Sequence, residues 1–264
     1  MPELPEVETV VRGLRETLTG RELDEISSYR EGTIIDERSE EREYGNIIGI
    51  HRRGKYILID TDNDTTIMIH LRMTGKLVFD QPAEESHHCR AELKFTDQTN
   101  LIFDDVRTFG KINILDKGNE EMKLSFLGIE PLDEGFDVEY LQKKLSGRKA
   151  PIKNVLLDQS VIAGLGNIYV LEVLHRAKIS PLRKCIDIKK REIAAIIHET
   201  KEVLKEAISK NGTTISDFRR VDDKTGEFQN FLRVYGKKQC KCKSEILRVK
   251  QGGRTSYYCP VCQK

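Results

Sequence analysis

The spacing of apolar residues changes character once along the chain, and that change limits the fold more than any other feature. Apolar residues first fall in short runs at 47–50, 55–59, 66–71, 77–79, 91–95, 100–103 and 111–115. Turn residues such as Asp62-Asn63-Asp64 and Asp97-Gln98-Thr99 separate them, as successive strands of a sandwich or barrel require. A stretch of Pro, Gly and acids at 128–136 ends the series. Beyond it the repeat turns helical over 138–145, 152–158, 167–176 and 188–210. One helix precedes the strands, with Val7, Val10, Val11, Leu14 and Leu18 at three- and four-residue steps. The class is α+β. The expected division is a strand-rich domain with a leading helix at 1–127, a linker at 128–136, a helical domain at 137–236 and a terminal hairpin at 237–264.

Charge follows the same division. The net charge of the 264 residues is only +1. Residues 1–136 nevertheless hold 17 Lys and Arg against 29 Asp and Glu, a net of −12. Residues 137–264 hold 27 against 14, a net of +13. A basic half of this kind suits a polyanion. No apolar run reaches the length of a membrane span, and the N-terminus has acids where a signal peptide has its apolar core. A soluble cytoplasmic protein is expected.

Two local motifs carry chemistry. The first is Met1-Pro2-Glu3-Leu4-Pro5-Glu6. Removal of Met1 leaves Pro2 as a secondary α-amine, with a pKa of about 8. A helix starting at Pro5 lowers it further through its N-terminal dipole. The amine is then nucleophilic at neutral pH, with Glu3 and Glu6 within one turn. An ordinary helix start, Pro first and acids next, has the same residues. The second motif is Cys240-x-Cys242, sixteen residues, then Cys259-x-x-Cys262. Two thiol pairs at that separation suit a structural zinc ion. The interval reads as a hairpin, 246–250 and 255–258, turned at Gln251-Gly252-Gly253-Arg254. The first pair has one residue inside it, where zinc hairpins usually have two.

Taken together the motifs resemble the formamidopyrimidine-DNA glycosylase family. The resemblance rests on Pro2-Glu3-Leu4-Pro5-Glu6-Val7-Glu8-Thr9, Gly54-Lys55-Tyr56, His70-Leu71-Arg72-Met73-Thr74-Gly75 and Asp105-x-Arg107-x-Phe109-Gly110. It continues through Gly164-Leu165-Gly166-Asn167-Ile168-Tyr169 with Glu172, Gly212-Thr213-Thr214 with Asp217-Phe218, Val234-Tyr235-Gly236 and the cysteines. They occur in the family's order over almost the whole chain.

The resemblance implies an N-terminal β-sandwich with the leading helix, and a helix-two-turn-helix module with a zinc β-hairpin. It implies a bacterial, bifunctional enzyme that excises 8-oxoguanine and ring-opened purines from duplex DNA and then nicks the strand. Pro2 is implied as nucleophile, Glu3 as acid and base, and Lys55 and Arg254 as aids to elimination. Glu6 and Glu172 are implied as active-site support. Lys55, His70, Arg90, Lys153, Asn167 and Arg254 would hold phosphates, and Met73, Arg107 and Phe109 would fill the hole left by a flipped base. A loop near 219–228, hinged at Gly226, would discriminate lesions. Arg90 stands where many members have His, and Leu171 where many have a polar residue. The implied partner is damaged double-stranded DNA, bound by a monomer, since one lesion has no twofold symmetry.

Two other functions compete. Endonuclease VIII shares the amine and hairpin but usually has Gly at the position of Leu4, and lacks the Met-Thr-Gly and Arg-x-Phe-Gly residues in this form. A non-catalytic DNA-binding protein needs neither Pro2 nor Glu3.

Overall fold

The computed structural model describes residues 1–213 and 226–264. The chain divides into two compact units: Met1–Ser125 with the described part of Lys210–Glu227, and Phe126–Ser209 with Phe228–Lys264. Among the described residues no helix is long and apolar enough to cross a membrane.

The first unit is a β-sandwich. Helix α1 (Leu4–Leu18) leads into strands β1 (Glu22–Ser28), β2 (Ile34–Asp36), β3 (Gly45–Arg53), β4 (Tyr56–Thr61) and β5 (Thr65–His70). Then follow β6 (Gly75–Phe79), β7 (Cys89–Phe95), β8 (Asn100–Asp105), β9 (Lys111–Asp116) and the short helix α2 (Asn119–Lys123). The strand order is β2-β9-β5-β4-β3-β1-β7-β8-β6. One layer, β2-β9-β5-β4-β3, passes into the other, β1-β7-β8-β6, through a brief pairing of Glu22 and Leu23 with Asn46 and Gly45. Alternate residues of each strand face the same core. Ile57, Ile59, Ile67, Ile69 and Ile112 of one layer join Leu77, Leu93, Leu101 and Phe103 of the other, with Val7, Val11 and Leu14 of α1. Removing about 25 cal/mol of apolar cost per Å² makes this core the main stabilising term of the unit.

Strands β1 and β2 lie outside the runs expected from sequence. In β1 the pairing with β7 shifts between Leu23 and Glu25. That bulge puts its inward residues, Leu23 and Ile26, three apart, which breaks the alternation that marks a strand.

The second unit holds helices α3 (Val138–Leu145), α4 (Ile152–Leu156), α5 (Asn167–Arg176) and α6 (Lys190–Ser209), and the hairpin β10 (Leu247–Gln251) with β11 (Arg254–Tyr258). Asp137 caps α3 by accepting the Tyr140 N–H at 2.8 Å. Tyr169 packs tilted against Phe228, which stacks on Phe231. At the hairpin tip Gly252 and Gly253 both have positive φ, 57° and 73°, as the tightest two-residue turn demands. The described residues of Lys210–Glu227 group with the first unit, whereas the sequence places all of 137–236 together. The cause is local: Glu6 accepts the Thr213 N–H at 2.7 Å.

Candidate active site and phosphate cradle

The start of α1 is a reciprocal capping box between Glu3 and Glu6. Glu6 Oε2 accepts the Glu3 N–H at 2.8 Å, and Glu6 Oε1 accepts the Thr213 N–H. Both acids are buried. A Cβ on Gly212 would lie 2.8 Å from Glu6 Oε1, and its φ is +76°, so glycine alone fits that crossing. The two carboxylates next to Pro2 are thus held by main-chain donors.

Pro2 is buried, and Met1, 42% exposed, is the residue at the surface. With Met1 attached the Pro2 nitrogen is an amide, and only a chain that begins at Pro2 has it as an amine.

Lys55 is buried beside the β3–β4 turn, where Gly54 has φ +56°. His70 ends β5, edge-on to Tyr56 with ring centroids 4.5 Å apart. Its Nδ1 accepts the Arg72 N–H at 2.9 Å. Burial, then the charges of Arg72 and Lys55, pushes its pKa down to about 3. His70 is therefore neutral, with its proton on Nε2 as a donor.

Met73 and Phe109 are 40% and 51% exposed, which rules out core packing for either. Arg107 lies over the Phe109 ring, 5.1 Å from its centroid. Arg90 is anchored: its Nε donates to the Asp105 carbonyl at 2.9 Å.

In the second unit Lys153, Asn167 and Arg254 form a cradle. Lys153 is 0% exposed, and its Nζ has no hydrogen-bond partner among the described residues. Burial, then the charge of Arg254, lowers its pKa to about 8. Asn167, the first residue of α5, donates through Nδ2 to the Thr255 carbonyl at 3.1 Å, while its buried Oδ1 is unpartnered among them. Gly164, with φ +84°, turns the chain into α5. Gln159 holds that turn from both sides: Oε1 accepts the Gly164 N–H at 3.0 Å, and Nε2 donates to the Leu165 carbonyl at 2.8 Å. Gln159 escapes sequence reasoning, because nothing marks a glutamine as a turn clamp until its partners are seen. Two cations near a helix start make a place for an anion.

Glu172 is fully buried. Oε1 accepts the N–H groups of Val234 and Tyr235, and Oε2 that of Arg233. Burial raises its pKa against those three donors. Expected as active-site support, it tethers the chain that enters the cysteine hairpin.

The sulfur atoms of Cys240, Cys242, Cys259 and Cys262 all lie within 4.8 Å of one another. Two of the separations are 3.9 and 3.6 Å. Tetrahedral thiolates about 2.3 Å from zinc are roughly 3.8 Å apart, so the four residues fit a metal ion. The shortened first pair is accommodated by a turn after Cys242: Lys243 has φ +71°, and its N–H returns to the Cys240 carbonyl at 2.9 Å. The lesion loop expected at 219–228 lies outside the described residues as far as 225. At its end, a Cβ on Gly226 would sit 2.4 Å from the Asn211 and Gly212 carbonyl oxygens.

Residues 1–112 match the model of the formamidopyrimidine-DNA glycosylase N-terminal domain, and 127–219 match that of the formamidopyrimidine-DNA glycosylase H2TH domain. Formamidopyrimidine-DNA glycosylase of Pelotomaculum thermopropionicum is 42% identical, over 100% of this chain and 99% of the relative. That of Zymomonas mobilis is 40% identical over the full length of both. The crystal structure of the MutM (Fpg) protein of Thermus thermophilus matches with a TM-score of 0.89 at 35% identity, covering 99% of this chain and 98% of that one. MutM in complex with DNA containing carbocyclic 8-oxo-G matches with a TM-score of 0.88 at 35% identity over 100% of both. A β-sandwich, an H2TH module and a four-cysteine hairpin in this order define a DNA-repair glycosylase. The chain belongs to the formamidopyrimidine-DNA glycosylase family.

Proposed function

We propose that the protein excises oxidised and ring-opened purines from duplex DNA and then cleaves the strand by β,δ-elimination. The carrying observation is the capping box: Glu3 and Glu6 are fixed beside Pro2 by hydrogen bonds that need no ligand. Among similar structures, one holds MutM with carbocyclic 8-oxo-G DNA, one a Lactococcus lactis FPG mutant with Fapy-dG DNA, and one L. lactis Fpg with abasic DNA.

A base must leave the stack before its sugar can be reached. Once Met1 is removed, the Pro2 nitrogen attacks C1′, the base departs with the glycosidic electron pair, and the proton shed by the nitrogen neutralises the departing base. Glu3 gives a proton to the sugar ring oxygen, the ring opens, and an iminium joins Pro2 to C1′. That cation draws electrons from the C2′–H bond, so a base can remove the proton and the 3′ phosphate leaves. A second elimination releases the 5′ phosphate, and water frees Pro2. Lys55 and Arg254 supply protons to the departing phosphates. His70 donates Nε2–H to a phosphate, and Arg90, Lys153, Asn167 and Arg254 bind others. Met73, Arg107 and Phe109 occupy the vacated stack, with Arg107 on the orphaned cytosine. Their exposure supports this, and contacts to bent DNA would offset the few kcal/mol that wedging costs. Glu6 holds the 212–213 segment that leads toward the proposed lesion loop.

The four cysteines would hold one zinc ion, which ties the hairpin base and so fixes Arg254. Metal analysis returning one zinc per chain is the expected result. The enzyme acts in the bacterial cytoplasm as a monomer, and sedimentation of a stable dimer at working concentration would refute that.

Borohydride treatment tests the reaction, since it reduces the iminium to a stable crosslink. Crosslinks to 8-oxoguanine and abasic duplexes are expected, and their absence from both would defeat the enzymatic mechanism. Faster excision of 8-oxoguanine opposite cytosine than of thymine glycol is expected, and the reverse order would favour an endonuclease VIII-like specificity.

A further inference from the structure

Asp105 closes β8 and is 1% exposed. Its carboxylate is shared between two loops, one bearing Met73 and the other bearing Arg107 and Phe109. Oδ1 accepts the Thr74 hydroxyl and, at 3.3 Å, the Arg107 N–H. Oδ2 accepts the Gly110 N–H at 2.8 Å. The Thr74 oxygen accepts the same Arg107 N–H at 3.0 Å, so the loops are also joined directly. The main chain of Asp105 is fixed as well. Its N–H donates to the His88 carbonyl at 2.9 Å, and its carbonyl accepts Arg90 Nε.

The geometry has little slack. Arg72 and Thr108 sit at φ +53° and +61°, a region that side-chain-bearing residues enter only when their surroundings hold them there. A Cβ on Gly110 would lie 2.2 Å from the Phe103 ring and 3.1 Å from Asp105 Oδ2. Three donors from two loops need two acceptor oxygens, and only a carboxylate of this length offers both. Asparagine would keep one oxygen and set an amide against a donor.

We propose that Asp105 is a positioning residue that locks the Met73 loop to the Arg107–Phe109 loop, so that the two enter DNA as a single wedge. The inference rests on the wedge role given to those residues above. Among the described residues, none of the hydrogen bonds to the Asp105 carboxylate comes from the side chain of Met73, Arg107 or Phe109. Asp105 therefore acts through the backbone, by setting where the three side chains point.

The test compares single-turnover excision of 8-oxoguanine opposite cytosine with nicking of a preformed abasic site, in which no damaged base has to be displaced. Asp105→Asn and Thr74→Val should each slow excision by about tenfold to a hundredfold, the scale of a lost hydrogen bond to a charged acceptor. Abasic nicking should change less than about threefold, since eversion of a base is no longer required. A role in folding alone would lower both activities in the same proportion, and that result would overturn the proposal. So would unchanged excision in both variants. Should Asp105→Asn fail to fold, Thr74→Val, which removes one hydroxyl, decides the matter. Met73→Ala and Phe109→Ala separate the two layers of the argument. If they impair excision while Asp105→Asn and Thr74→Val do not, the locking role fails and the wedge stands. If neither impairs excision, the wedge reading fails and takes the locking role with it.

Discussion

The two units each bury a polar cluster, and the clusters are built on opposite terms. In the first, Glu6 gives both carboxylate oxygens to backbone N–H groups of Glu3 and Thr213. In the second, the Lys153 ammonium and the Asn167 Oδ1 are buried with no partner among the described residues. A satisfied buried group adds stability, and an unsatisfied one subtracts it. The difference teaches which group waits for a ligand. Acids beside the proposed nucleophile must be in place before substrate arrives. In the proposed phosphate cradle polar atoms can stay unpaired, because a bound phosphate would supply the missing partner.

The largest expected effect falls on the filled cluster. Glu3→Gln should lower excision by about 10²–10⁴-fold, the usual weight of a general acid or base, with DNA affinity little changed. Filter binding beside single-turnover kinetics checks this, and an equal loss in both would show that Glu3 merely holds the helix start. Glu6→Gln should next cost about 1–3 kcal/mol of stability in denaturant titration, since one N–H loses its acceptor. Lys153→Met should do the reverse: equal or greater stability, with weaker DNA binding and a salt slope reduced by about one. A loss of stability in that variant would erase the contrast between the clusters.

The smallest effect is a pH dependence. The Lys153 pKa is depressed to about 8, below the lysine value of about 10.4 in an unfolded chain. Below pH 8 the lysine is charged in both states, and the folded state bears the full penalty. As pH rises from 8 toward 10.4 the folded state loses its proton first and the penalty fades. DNA affinity moves the other way and should fall above pH 8, an effect absent from Lys153→Met. His70, with a pKa near 3, should contribute no change in binding between pH 5 and 8.

Much of this was legible in the sequence. Helices α3 and α5 begin and end where the apolar repeat over 138–145 and 167–176 places them. The exposure of Met73 and Phe109 agrees with their glycine-flanked loops. What escaped depends on contacts between distant residues. β1 hides behind its bulge. β2 has three residues and gains its place only by pairing in parallel with β9. The shortened cysteine pair is accommodated by a left-handed turn at Lys243, which cysteine spacing does not mark. Asp105 stood inside a motif, but its role rests on Thr74, 31 positions away. The unpartnered state of Lys153 is invisible to any pattern, for a lysine on a short helix ordinarily faces water.

The central claim is that Pro2, freed of Met1, is the nucleophile. Lys153 makes the question sharp, because a buried lysine with a pKa near 8 can itself form such an adduct at neutral pH. The borohydride-reduced complex with 8-oxoguanine DNA should be digested with protease and the DNA-bearing peptide sequenced by mass spectrometry. The account predicts a peptide that begins at Pro2 and carries the sugar on its terminal nitrogen. A sugar on Lys153 or Lys55, or a reactive chain that retains Met1, would contradict it.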